Sequence, residues 1–207
     1  TDDGVNGALR FDGVDDAVWI YDSWDINYPV TNKRAISAWF VVDDPLINSH
    51  KQIIYEEGGT GQGISIYVYD GMLHTCKWGG AEGLVSLSTA LNGAGQWHHV
   101  SVVLETEGAE VCTDGLRLYL DGVLVASGDA ARMTQHGNDV GIGAVIDGSR
   151  FHDNQTASSG QNFAGLIGDV RIHNRVLTVE EISALARVVD SPQTGLFIFD
   201  DVPPGDY

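Results

Sequence analysis

Hydrophobic and polar residues alternate over short runs along most of this chain, which is the period of half-buried β-strands. Such runs cover residues 8–11, 17–20, 35–42, 51–55, 64–69, 72–78, 98–105, 116–120, 123–127, 140–145 and 166–173. Gly and Asp separate them. Asp70-Gly71 and Asp121-Gly122 stand alone between adjacent runs, which predicts two-residue type I′ hairpins. One segment breaks the period. Thr178 and Glu181 are spaced as a capping box, and Val179, Ile182, Leu185 and Val189 then fall on one helical face. Strands at this spacing predict two antiparallel sheets packed face to face, followed by one short helix. The fold class is therefore all-β, a β-sandwich with one short C-terminal helix. Residues 1–190 form the domain, and 191–207 read as a linker or an edge-strand tail, with a possible strand at 195–200.

The chain has 207 residues, 43% of them hydrophobic, enough for one domain with a sizeable core. Its net charge is −18. That excludes a nucleic-acid binder, which needs clustered Lys and Arg, and argues against docking on anionic membranes. No run approaches the length of a membrane-spanning helix. The acid excess is mostly aspartate, 21 Asp against 8 Glu. Two readings stay open: a solubility charge suited to salty surroundings, or calcium-bearing loops. The opening TDDGVNG carries neither Met nor an apolar signal and reads as a piece of a longer protein.

Residues 147–162, DGSRFHDNQTASSGQN, form the longest polar stretch. A loop of this length in a compact domain is usually functional or disordered, and this one is rich in side-chain oxygens. His152 within it is the histidine to test for ligand contact. Cys76 and Cys112 are either a disulfide of an exported domain or two buried thiols. Glu105 and Glu107 are the nearest match to a glycan-cleaving acid pair, without a third acid in register. Trp24, Tyr28 and Trp78 lie near turns, where an exposed ring beside a cleft would stack on a sugar.

Four stretches carry a resemblance: ALRFDGVDD at 8–16, GQWHHV at 95–100, LRLYLDG at 116–122, and FAGLIGDVRI with RVLT at 163–178. In this order they resemble the laminin-G-like and pentraxin group of concanavalin A-like jelly-roll sandwiches. The resemblance implies calcium held by acid and amide side chains of two loops. By position these are Asp147, Asp153, Asn154, Gln155 and Gln161 in the long stretch, and Gln62 in the 58–63 loop. Asp153, Asn154, Gln155, His152 and Gln62 would then meet the ligand. Gly168 lacks the carboxylate of a second family metal site. Asp12, Asp15 and Asp16 form either a structural turn or a separate calcium site. The expected function is calcium-dependent binding of a peptide end or a glycan on a cell surface. It would be non-enzymatic, extracellular and monomeric as excised. It resembles a module of a large bacterial repeat-in-toxin adhesin. Two alternatives remain: a carbohydrate-binding module attached to a secreted polysaccharide-degrading enzyme, and a spacer without ligand.

Overall fold

The computed structural model describes residues 7–28, 30–108, 110–187 and 198–200. Two large antiparallel sheets face each other. In the first lie β1 (Ala8–Asp12), β3 (Lys33–Val42), β8 (His98–Glu105), β9 (Cys112–Leu120), β10 (Val123–Ala130) and β14 (Ala164–His173). Their order is β1-β14-β3-β8-β9-β10, and β15 (Ile198–Asp200) adds to β14 in parallel. In the second lie β2 (Val18–Ile20), β4 (Gln52–Gly59), β5 (Gln62–Tyr69), β6 (Met72–Trp78), β7 (Leu84–Ala90) and β11 (Val140–Ile142), in the order β2-β11-β4-β5-β6-β7. A small hairpin, β12 (Ser149–Arg150) with β13 (Thr156–Ala157), stands apart. The helix α1 spans Val179–Leu185.

Alternation builds the core. On β3, Ile36, Ala38, Phe40 and Val42 point between the sheets and meet Ile64, Ile66 and Val68 of β5. Both predicted hairpins form as type I′ turns, with positive φ at Asp70 and Gly71 and at Asp121 and Gly122. The capping box also forms: Thr178 takes the Glu181 amide, and the Glu181 carboxylate takes the Thr178 amide. Ile182 of α1 seats on Ala35, Val103 and Tyr119, covering the outer face of the first sheet. Val179, expected on that apolar face, is 57% exposed and takes no part in the cluster that seats the helix. Val189 lies outside the described residues.

The outer face of the second sheet is covered differently. There Ile53, Tyr67, Cys76 and Trp78 pack with Val145 and with Phe151 of the long polar stretch. That stretch is thus a packed lid with its own β12–β13 hairpin. Trp78, expected near the surface, is buried in this cluster, while Trp24 is exposed. Cys76 and Cys112 lie on different sheets and are free thiols.

One irregularity decides where the two acids of β4 point. A β-bulge at Ile54 shifts the β4–β5 register between Ile53 and Tyr55. Ile54 and Tyr55 therefore both face the inter-sheet core. Beyond the bulge, alternation sends Glu56 to the outer face and turns Glu57 inward.

Candidate functional site

The predicted ligand residues divide between the two ends of the second sheet, separated by roughly 20 Å of strand β4. At one end, Lys51 is buried beneath the long stretch. Its ammonium donates to Asp153 at 2.8 Å and to Gln155 at 2.9 Å, and lies about 5 Å from the Tyr69 and Phe151 rings. Asp153 also accepts the Gln155 amide at 3.0 Å. Burial alone would raise the Asp153 carboxyl, but Lys51 and that amide together hold it below the usual carboxylate range. Gln161 accepts the Lys51 backbone N–H at 2.6 Å. Asn154 accepts from Arg150 at 2.9 Å, with positive φ in the hairpin turn. His152 is held by the Tyr67 hydroxyl at 2.8 Å and stacks on His74 at 4.3 Å. Burial first, and His152 second, push His74 down to about 4.

This donor set does not fit a calcium ion. The point on which Asp153 and Gln155 converge already carries a cation, the Lys51 ammonium. A divalent ion there would meet a like charge at contact distance. The sequence placed the right oxygens together but did not show Lys51, about 100 positions away, arriving between them.

The other end carries an open polar cleft of about 400 Å³. Its walls are the β4–β5 turn (59–62), residues 136–138 and Asp147. It thus gathers two of the predicted residues, Gln62 and Asp147. Trp78 Nε1 donates to the Gly59 carbonyl at 2.7 Å and pins the turn. A Cβ at Gly59 would sit 2.7 Å from Asn138 Oδ1, so glycine lets the two walls approach. Gln62 bonds Thr134 and the Gln135 carbonyl. Asp147 accepts the Asp139 amide at 3.1 Å through Oδ2, and Asp139 accepts the Asp22 amide at 2.9 Å.

Behind Asp147, Glu56 is fully buried. Its Oε1 accepts the Ile146 amide at 2.9 Å, and its Oε2 has no partner. Burial pushes its carboxyl up to about 9, the Ile146 amide opposing, with Glu57, Asp147 and Asp139 adding repulsion. The ordinary value is 4.5. Between about 4.5 and 9 the folded chain therefore keeps a proton that the unfolded chain has lost. Glu56 favours folding fully below pH 4.5, and that contribution is lost as pH rises to about 9. Glu56→Gln, which keeps the shape without ionising, is expected to flatten the alkaline fall of the melting temperature. Thermal melts of both proteins from pH 5 to 9 in chelator check this; parallel curves would refute it.

A third group is Asp12, Asp15 and Asp16, whose carboxylates lie within 4.8 Å of one another and are exposed. Turn chemistry is present: Asp12 accepts the Val14 and Asp15 amides, and Asp16 accepts the Asp12 amide. Glu105 is paired with Arg117 at 2.5 Å; it shares a second cleft with Glu107 at the end of the first sheet.

The model of the concanavalin A-like lectin/glucanases superfamily matches residues 11–183. No curated protein matches the chain. Among solved structures, it is similar to the heptameric SAP-like pentraxin of Limulus polyphemus. Identity is 18% and the TM-score 0.59, over 92% of this chain and 86% of the pentraxin. It is also similar to the receptor binding domain of botulinum neurotoxin D, with 17% identity and a TM-score of 0.65 over 87% of this chain. The match spans 43% of that toxin domain. At these identities the likeness is one of fold. With the family model covering most of its length and its strands ordered in two facing sheets, the chain belongs to the concanavalin A-like lectin/glucanases superfamily.

Proposed function

We propose that this domain is a calcium-assisted recognition module, displayed outside the cell as part of a large surface adhesin, that binds a peptide end or a glycan. The observation that carries this reading is the polar cleft at the loop end of the second sheet. It is open, walled by Gly-rich backbone, and edged by Asp147 with the unpartnered Oε2 of Glu56 behind it. Asp147, Gln62 and neighbouring carbonyls are the residues that would hold the ion. Calcium takes six to eight oxygens, so such a sparse set leaves positions for ligand carboxylate or hydroxyl oxygens. Modest affinity per site suits repeated display, where avidity compensates. The pentraxin and toxin-domain likenesses support a binding fold without choosing the ligand. Binding rather than hydrolysis is favoured because Arg117 engages Glu105 of the one acid pair the sequence offered.

Calorimetry with calcium, against neutral hexasaccharides and against peptides ending in a free carboxylate, tests this. Binding is expected, lost on adding chelator and lost in Asp147→Ala. Calcium response retained in Asp147→Ala but lost in Asp12→Asn would move the ion to the N-terminal turn and overturn the cleft assignment. No binding from either set would overturn the recognition role and favour a spacer.

A further inference from the structure

Strand β10 ends the first sheet. It pairs with β9 on one side and, among the described residues, with no strand on the other. Such an edge leaves a row of backbone N–H and C=O groups open to a further strand. Natural edges are commonly blunted by Lys or Pro, and the β10 sequence VLVASGDA carries neither. It begins instead with three exposed apolar residues in a row, Val123 at 63%, Leu124 at 50% and Val125 at 37%, where a solvated strand would place polar groups. Register shifts after Leu124 and after Gly128 bend the strand. Residues 126–128 stay in step with β9 between them, so an added segment would pair over a few residues only.

The edge is held from three sides. The type I′ turn at Asp121 and Gly122 fixes β10 against β9. Gly122 lies against α1, where a Cβ would come 3.2 Å from that of Ala186. On the inner side Ala126 packs on the core, and a Cβ at Gly128 would sit 3.0 Å from Leu87 of β7.

The far end of β10 adjoins the second cleft, of about 380 Å³. Asp114 of the cleft wall accepts the Ser127 hydroxyl of β10 at 2.5 Å, and its own amide donates to Asp129 of β10 at 3.2 Å. Arg117 in the cleft engages Glu105. Glu107, Asp114 and Asp129 are then set against Lys33. One end of the edge is therefore apolar and the other anionic.

We propose that the free edge of β10 takes up an extended segment of a partner protein as an added strand, with a lysine or arginine of that segment entering the cleft beside Asp114. Main-chain pairing along 126–128 supplies attachment, and the flanking side chains select the segment. Apolar residues of the segment meet Val123, Leu124 and Val125, and its cation meets the surplus carboxylates. A second copy of this chain fits less well, because it brings its own net charge of −18 to the contact. This surface is separate from the cleft at the loop end of the second sheet and needs no ion.

The test is fluorescence anisotropy of the whole domain, in chelator, with labelled decapeptides that alternate Val and Thr and end in two Lys or in two Glu. Both peptides are acetylated and amidated, so neither a free chain end nor calcium can account for binding. The Lys peptide is expected to bind about tenfold or more tightly than the Glu peptide, and to slow amide hydrogen exchange in β10. Asp114→Asn with Asp129→Asn, which keeps both acceptors, is expected to remove most of that preference. Val125→Lys is expected to abolish binding while leaving the melting temperature unchanged, because the side chain replaced lies at the surface. Equal binding of the two peptides, no binding of either, or binding unaffected by Val125→Lys would overturn the proposal. Sedimentation showing a dimer that Val125→Lys dissolves would make a second copy the occupant and overturn it as well.

Discussion

Arg34→Met is expected to destabilise the domain by about 3–5 kcal/mol in urea unfolding. The Arg34 guanidinium and the Glu57 carboxylate meet at 2.6 Å, with both side chains essentially without solvent contact. Glu57 also accepts the Tyr55 hydroxyl at 2.6 Å, and His136 of the cleft wall stands 3.9 Å away. Removing the guanidinium leaves a carboxylate between the sheets with the Tyr55 hydroxyl as its hydrogen-bond donor and the His136 ring beyond bonding distance. That desolvation cost, rather than the loss of one attraction, sets the size of the effect. Arg34→Met with Glu57→Leu removes both charges and is expected to recover most of the loss, because a buried ion pair roughly breaks even against apolar packing. A single-variant cost below about 1 kcal/mol would show that water reaches the pair. Function enters through Ile26: the double variant, though stable, loses the Arg34 bond to the Ile26 carbonyl, next to Asn27, whose side chain donates to the Asn138 carbonyl of the cleft wall. It should therefore bind ligand more weakly than its melting temperature suggests.

The parts of this fold visible in the sequence are those fixed by neighbours along the chain. Asp70-Gly71 and Asp121-Gly122 force their hairpins by backbone conformation, and Thr178 with Glu181 caps the helix across three residues. Strand β7 escaped because its outward residues, Ser86 and Ser88, and the preceding Gly-rich turn look like loop. Pairing with β6 makes it a strand. The β12–β13 hairpin escaped for a related reason. Its apolar content, Phe151 and Ala157, is thin, and it is held by packing on Tyr67 and Trp78. The bulge at Ile54 has no local signal, yet it decides that Glu57 faces inward. The same limit applies to the site. Oxygen-rich residues at 147–162 were legible as a set, but their partners come from Lys51, Tyr67 and the 136–139 segment. Those long-range contacts split the set between the two ends of a sheet.

That split gives the second large effect. Lys51→Ala is expected to cost about 2–4 kcal/mol, the sum of two charge-assisted hydrogen bonds, discounted for the partial exposure of Asp153, and two ring contacts. Asp153 is 30% exposed at its side chain, so Asp153→Asn is expected to cost less, about 1 kcal/mol. A double-mutant cycle between the two should show that most of the Asp153 effect requires Lys51. The consequence for the cation is specific. While Lys51 is present, Asp153 and Gln155 spend their oxygens on its ammonium, and Asp153→Asn should leave the calcium response of the melting temperature as in the parent. Loss of that response in Asp153→Asn would place the ion beneath the long stretch and contradict the role given to Lys51. In Lys51→Ala the same oxygens are released into a site preformed by the β12–β13 turn. A new, weaker calcium dependence should then appear, and should vanish again when Asp153→Asn is added. One lysine just ahead of β4 would thus decide whether this loop closes on itself or opens to an ion, which is why the proposed ion site lies at the opposite end of the sheet.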